Sequence, residues 1–348
     1  MSINSISTQS LNEAPRQATV RMQRDLTDTQ VEASTGRLAD VTLSLGADVK
    51  DSISVRGQLA GLASLQQSTS LASGRLEASQ NALGSMVSDA NKFIGSIIAA
   101  RSNRVGQQTS ASEASNYMKS FGQLANTTYA GAYVFGGLKT DTSPMPDYSA
   151  QPTSAAKTAV DNAFQSFFGF SQSDPAAANI TSASMASFLN GPFSTLFANP
   201  SWSNWSSASS TNLKQRIGPD EVVETSTNVN GQPFRDLAMA YTMMSDLGGA
   251  NLSAGAFSVV ADRAILSLSA AVEGLGVTQS NLGAIQERMT TAQDVHSKAS
   301  SMLEKQIASS ESVDQYSAAT HLNQLTTQLE AAYQITARIQ KLSILNYI

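Results

Sequence analysis

The sequence predicts a mainly α protein: a long antiparallel, coiled-coil-like helical rod built from both chain ends, with an inserted β-containing outer domain in the middle. Of the nine prolines, eight fall between Pro144 and Pro233, and the ninth is Pro15. A proline inside a helix removes a hydrogen bond and costs about 3 kcal/mol. The arms 16–143 and 234–348 contain no proline and are free to be helical, and each carries an apolar stripe of helical period.

The opening segment has a weak apolar stripe that includes Leu11, Met22 and Leu26 and stops before a Ser-Thr-Gly step at residues 34–36. Glycine is costly within a helix, so this step predicts a helix end or a kink. We expect a terminal helix up to about residue 35, followed by an irregular connection.

The first arm carries a regular seam between residues 62 and 97, whose positions alternate steps of three and four. This coiled-coil spacing predicts a helix from about residue 50 to 105, and a shorter helix is expected near 112–128. The large apolar residues of the seam are the expected rod core of this arm: Leu62, Leu65, Leu76, Leu83, Met86, Phe93 and Ile97.

The second arm supplies partners for that core at the same spacing: Leu282, Ile285, Met289 and Leu303. After a polar break near 309–312, a new apolar stripe runs to the last residue. Since chain termini are normally polar, this stripe favours burial against other subunits, with a purely intramolecular core as the alternative. Its large members are Leu322, Leu325, Leu329, Ile335, Ile339, Leu342, Leu345 and Ile348.

The middle of the chain differs in character. Seven of the twelve phenylalanines and both tryptophans lie within 144–233, enough for a small core of its own. Residues 212–217 and 221–227 flank a Gly-Pro-Asp turn and predict a β-hairpin. Residues 130–137 predict a short strand closed by a glycine turn. The elements within 144–211 stay unassigned.

The composition argues against nucleic-acid and membrane partners. The net charge of −5 leaves no basic footprint for nucleic acid. The apolar stretch 93–100 is far shorter than the roughly 20 residues that cross a bilayer, and the N-terminus lacks the basic and apolar regions of a secretory signal. We therefore expect neither nucleic-acid binding nor membrane insertion.

The sequence also predicts no catalytic, cofactor-binding or metal-binding residues. The absence of cysteine excludes thiolate sites, and His296 and His321 lack the further ligands that a metal needs. Residues 131–140 lack a lysine at phosphate-loop spacing. Asp220 and Glu221 lie in a predicted turn without a nearby histidine, which favours a solvated loop over acid–base chemistry. The chain is not expected to be an enzyme.

Several segments carry motifs of one known family. Residues 1–8 read Met-Ser-Ile-Asn-Ser-Ile-Ser-Thr, and the Ser-Thr-Gly step follows at 34–36. Residues 131–142 fit G-x-Y-x-F-[AS]-G-x-x-T-[DN]-T, except that Gly136 replaces Ala or Ser, a small-for-small change. Residues 231–237 contain Pro-Phe-Arg-x-Leu, and the tail contains Leu-Glu-Ala-Ala-Tyr-Gln-Ile and ends in Ser-Ile-Leu-Asn-Tyr-Ile.

These motifs are similar to those of the flagellin superfamily, and more closely to its hook-associated protein 3 family at the hook–filament junction. The resemblance covers roughly residues 1–145 and 230–348. It implies an N-terminal assembly helix in 1–45 that pairs with a C-terminal assembly helix in 306–348. It further implies two rod legs, 46–143 and 234–305, and an inserted outer domain, 144–233, that is α+β or mainly β.

The resemblance implies a structural subunit of the bacterial flagellum that joins hook to filament by coiled-coil packing of its terminal helices in a tubular assembly. It implies self-assembly into a ring between a neighbouring hook-associated protein and flagellin. It also implies type III export to the cell exterior without a cleaved signal peptide, aided by a chaperone on the C-terminal helix. The apolar residues 11, 22 and 26 and the stripe 322–348 would form the assembly interface.

Two alternatives remain open at this point. The nearer one is a filament flagellin of the same superfamily, although Tyr-Val-Phe-Gly-Gly and Ser-Ile-Leu-Asn-Tyr-Ile favour the junction protein. The more distant one is a soluble helical signalling rod, which would form one continuous hairpin without an aromatic, proline-bearing insertion.

Overall fold

The described chain is mainly α-helical, as predicted, with two short β-hairpins. The computed structural model describes residues 8–100, 104–248 and 251–342. The helices are α1 (Thr8–Thr35), α2 (Val41–Leu45), α3 (Val49–Ala100), α4 (Arg104–Ala125), α5 (Ala155–Phe168), α6 (Ser182–Phe188), α7 (Gln232–Thr242), α8 (Ala254–Glu311) and α9 (Gln315–Leu342). The strands are β1 (Thr128–Tyr129), β2 (Ala132–Tyr133), β3 (Lys214–Arg216) and β4 (Val222–Glu224).

The chain divides into two compact units. The terminal unit comprises Met1–Ser64 and Val295–Ile348, and the central unit comprises Leu65–Asp294. Helix α1 ends at Thr35, which confirms the helix end expected at the Ser-Thr-Gly step. Gly36 follows at φ +70°, a conformation that favours glycine and closes the helix.

The long helices α3 and α8 place most of the predicted seam in the interior. Residues 76, 83, 86, 93 and 97 of α3 are at most 1% exposed, whereas residues 62 and 65 near the unit boundary are half-buried. On α8, Leu282 and Met289 are buried, and Ile285 and Leu303 are half-buried. Thr69 and Ser79, the hydroxyl members of the α3 seam, are also fully buried.

In the central unit, α3 and α8 are antiparallel and meet through a reciprocal pair of glutamines. The Gln80 side-chain amide donates to the Gln279 carbonyl at 2.8 Å, and the Gln279 amide donates to the Gln80 carbonyl at 3.4 Å. Each glutamine lies opposite a glycine of the other helix, Gln279 opposite Gly84 and Gln80 opposite Gly283. The missing side chains leave room for the crossing amides.

Helix α4 folds back along α3 and begins eight residues before its predicted start at residue 112. Residues 104–111 are too polar to show a helical apolar period, although Gln107 and Ser110 are buried. A cluster of aromatic rings joins α3, α4 and α7. At its centre is Tyr241 of α7, whose ring lies 5.7 Å from Phe93, 6.0 Å from Tyr117 and 6.2 Å from Phe121. Its burial raises the pKa of Tyr241 above the ordinary tyrosine value.

The segment predicted as one short strand is the hairpin β1–β2, with Thr128 opposite Tyr133. Its two-residue turn has Ala130 at φ 49° and Gly131 at φ 78°, the left-handed pair that suits a tight hairpin. Gly136 stands where the motif has Ala or Ser, and the backbone around it leaves no room for a side chain. A Cβ there would clash with the Lys139 carbonyl oxygen, so alanine or serine would force the backbone apart.

Residues 144–233 contain α5, α6, several short helical turns and the hairpin β3–β4, so more residues are helical than extended there. The hairpin is the predicted one, with Gln215 opposite Val223. A chain of touching aromatic rings forms the local core: Phe164, Phe188, Phe193, Phe197, Trp205 and Trp202. Phe164 lies on α5 and Phe188 on α6, and the other four rings come from the short turns between residues 189 and 205.

Within the described residues, α8 is long and apolar enough to cross a membrane by length and composition alone. In the structure, 44% of its most apolar window is buried. Core helices of soluble proteins pass the same test, so the observation is weak evidence for a membrane span.

The first prediction concerns the α3 seam. Leu83→Ala should lower the free energy of unfolding by about 2–5 kcal/mol, because Leu83 is 0% exposed and its removal leaves a cavity. Leu71→Ala on the same helix is the matched control, since Leu71 is 48% exposed and should cost far less. Urea unfolding followed by circular dichroism measures both. Equal losses would contradict the placement of the seam.

Candidate assembly site

The terminal unit is built on α1 and α9, which pack against each other in antiparallel orientation. The Gln23 amide donates to the Tyr333 hydroxyl at 2.6 Å, and Thr29 Oγ1 lies 3.4 Å from His321 Nδ1. Residue numbers therefore rise along α1 as they fall along α9. Both polar pairs join groups that are nearly 300 residues or more apart in sequence, which heptad patterns alone do not reveal.

The residues predicted for the assembly interface lie on this helix pair. Met22, Leu26, Leu322 and Leu329 are half-buried, and Leu325 is 6% exposed. Ile335 is 57% exposed and faces solvent in the single chain. The remaining predictions fall on Leu11, Ile339 and Leu342, whose side chains are outside the described part, and on Leu345 and Ile348, which lie beyond the described residues.

The terminal unit leaves further large apolar side chains in water. Single exposed apolar residues are common on soluble proteins and mean little one by one. Here, however, several of them occur on the one unit in which α1 and α9 pack mainly against each other. The most exposed are Tyr316 at 84%, Leu43 at 83%, Met302 at 72% and Ile53 at 64%.

Glu311, at the end of α8, connects several segments of the terminal unit close to the point where α1 ends and α9 begins. Its side chain is 2% exposed and accepts two hydrogen bonds from Arg56 Nη2, 2.8 Å to Oε1 and 2.7 Å to Oε2. Ser52 adds a third at 2.8 Å. Hydrogen bonds from Arg56, followed in importance by those from Ser52, hold the pKa of Glu311 below its ordinary value despite burial.

The backbone around Glu311 ties in the end of α1. The Leu38 amide donates to the Glu311 carbonyl at 2.9 Å, and the Val313 amide donates to the Gly36 carbonyl at 2.9 Å. Ser52 and Arg56 come from the start of α3, so Glu311 binds that helix through its carboxylate and the α1–α2 connection through its backbone carbonyl. We call Ser52, Arg56 and Glu311 the carboxylate clamp.

The helical arms match known family models. The bacterial flagellin N-terminal helical region matches residues 6–140, and the bacterial flagellin C-terminal helical region matches residues 265–348. The chain belongs to the flagellin family. Flagellins are structural proteins of the bacterial flagellum that assemble into polymers, and the family is not enzymatic.

One solved structure that resembles this flagellin-family chain is described as a putative flagellar hook-associated protein from Vibrio parahaemolyticus. The two share 10% sequence identity with a TM-score of 0.51, over 76% of this chain and 96% of the other. At that identity the likeness shows the fold alone. No relative among curated proteins matches this chain.

The apolar residues of this flagellin-family site were predicted from the sequence, and its polar residues were not. Arg56 and Glu311 are 255 residues apart, and neither belongs to a motif that the sequence analysis recognised. The available signal was a lone glutamate in the polar break after the α8 stripe, where its charge needs a partner if it is buried. His296, weighed earlier as a metal ligand, is a buried residue of α8.

The second prediction tests the carboxylate clamp. Glu311→Gln should lower the free energy of unfolding by about 1–2 kcal/mol at pH 7, a moderate loss because Arg56 is 53% exposed and water screens it. Glu304→Gln is the matched control on the same helix, since Glu304 is exposed. Denaturant unfolding of the full chain measures both variants.

The pH dependence has a definite sign. The pKa of Glu311 is lowered in the fold, so its contribution is present above the ordinary value of 4.5 and is lost as pH falls through the folded-state pKa. The difference between the wild-type chain and Glu311→Gln should therefore shrink below that pH. A difference that grows on acidification would contradict the clamp.

Proposed function

We propose that this flagellin-family chain is a hook-associated subunit of the hook–filament junction, of the hook-associated protein 3 kind. In this role it forms a thin ring, with a neighbouring hook-associated protein on the hook side and flagellin on the filament side. The chain would be exported through the flagellar type III apparatus to the cell exterior, with a chaperone on its C-terminal helix. The outward-facing part would be residues 144–233.

The observation that carries the assembly mechanism is the incomplete burial of the terminal helix pair. Helices α1 and α9 cover residues such as Leu325 but leave Ile335 and Tyr316 in water. Packing against neighbouring copies would remove this apolar surface from water, at about 25 cal/mol per Å² buried. The junction role is supported by the resemblance at residues 131–142 and in the tail, and the fold similarity to a protein described as hook-associated is consistent with it.

A genetic experiment separates the junction protein from a filament flagellin. Deletion of the gene should leave hooks without filaments, while flagellin monomers accumulate in the medium. Complementation with the wild-type gene should restore filaments. Hooks that keep normal filaments after deletion would reject the junction role, and loss of the monomer itself from the medium would indicate a filament flagellin.

The third prediction tests the assembly face with two adjacent substitutions on α9. Ile335→Asp should abolish complementation, because a charge on an apolar contact face opposes packing between copies. Gln334→Asp adds the same charge at an exposed neighbouring position and should complement. Filament counts by electron microscopy measure both. Equal export of the two variants into the medium controls for stability and secretion, and normal filaments with Ile335→Asp would exclude Ile335 from the interface.

A further inference from the structure

The central unit contains a cavity that neither the assembly role nor the fold explains. Its volume is about 770 Å³, within the range of roughly 300–1,000 Å³ that small-molecule sites occupy. The cavity is lined by three parts of the unit: helix α4, the segment around residues 145–153, and polar residues of α5 and of the π-helical segment that follows α7. It therefore has the size of a ligand site.

The lining of this cavity has an apolar part and a polar part. Met118, Phe121 and Met145 contribute a buried apolar wall. The polar part carries Lys157 and Asp161 from α5 and Asp246 from the π-helical segment Met243–Leu247. A ligand that fills the space must combine an apolar body with a polar head.

The polar part holds more negative than positive charge. Lys157 Nζ lies 2.5 Å from Asp161 Oδ1 and 3.4 Å from Asp246 Oδ2, so one ammonium group serves two carboxylates. Over the whole lining, Lys119 and Lys157 face three aspartates, which add Asp147 to this pair. The ionised site therefore carries one uncompensated negative charge.

The two carboxylates are not equally satisfied. Asp246 is 10% exposed and accepts hydrogen bonds from Tyr148 and Ser245. Burial is the main cause that raises the pKa of Asp246. Asp161 is 39% exposed and accepts from Lys157 and Gln172 through Oδ1 alone, which leaves Oδ2 without a donor among the described residues.

We propose that this cavity binds a small organic monocation with an apolar body, its ammonium group beside Asp161 and its body against Met118, Phe121 and Met145. The cation supplies the charge that Lys157 alone does not, and the apolar wall selects against inorganic ions. This site is independent of the proposed junction role.

The probe is 2-phenylethylammonium, with the neutral 2-phenylethanol as its isostere. Calorimetric titration of the full chain should show that the ammonium binds roughly ten- to a hundredfold more tightly than the alcohol, the range that a charge-assisted hydrogen bond supplies. Added salt should weaken the ammonium and leave the alcohol unchanged. Equal affinities would overturn the proposal, as would the absence of ammonium binding.

Two pairs of variants locate the site. Asp161→Asn should weaken ammonium binding about tenfold or more, whereas Asp141→Asn, an exposed position outside the lining, should not. Gly122→Leu should block the cavity, because a Cβ at Gly122 meets no atom within 4 Å and Gly122 lines the space. Gly95→Leu, also free of contacts but outside the lining, is its control.

Leucine is a better helix former than glycine, so neither glycine substitution should unfold its helix. Unchanged circular dichroism confirms that each variant is folded before titration. If Gly122→Leu binds 2-phenylethylammonium as the wild-type chain does, or if Asp141→Asn loses as much affinity as Asp161→Asn, the cavity is not the site.

Discussion

A helix cannot bury its own apolar stripe, and the long helices of this chain each carry one. In the central unit the stripe of α3 finds enough partners, so Leu76 and Leu83 are fully buried. In the terminal unit α1 and α9 have mainly each other, and Ile335 remains in water. These α3 residues are thus covered within the chain, whereas part of the α9 stripe is exposed in the single chain.

The helices and turns that have a regular local sequence pattern were predicted from the sequence. The three-four spacing identified α3 and α8, a Gly-Pro-Asp turn identified β3–β4, and Ser-Thr-Gly identified the end of α1. The start of α4 was missed because its first residues carry no apolar period. The aromatic core within 144–233 was expected from its phenylalanines and tryptophans, but the elements that carry its rings were left unassigned.

The candidate site shows the same division more sharply. Its apolar members repeat along a helix and are visible in the sequence, whereas its polar members are paired only by the fold. Arg56 meets Glu311 across 255 residues, and Gln23 meets Tyr333 across 310 residues. Gly136 is a similar case. Glycine is required there because a side chain would clash with the Lys139 carbonyl oxygen, a contact that depends on the fold.

These helices carry few charged residues, and hydroxyl groups that bond to their own helix take the place of many of them. Many serine and threonine hydroxyls donate to the carbonyl four residues earlier, as Thr27 does to Gln23 at 2.9 Å and Ser280 to Gly276 at 3.0 Å. Such a face satisfies its own polar groups and needs few ion pairs. It can therefore pack closely against another surface without leaving an unpaired charge behind.

The reciprocal amides of Gln80 and Gln279 have a consequence for helix alignment. Seams of alanine, serine and leucine are alike from one turn to the next, so two such helices can slide past each other with little change in apolar burial. A slide of one turn moves them about 5.4 Å, which separates both amides from their carbonyls at once. The glutamine pair therefore fixes the register of two otherwise repetitive helices at one point along their length.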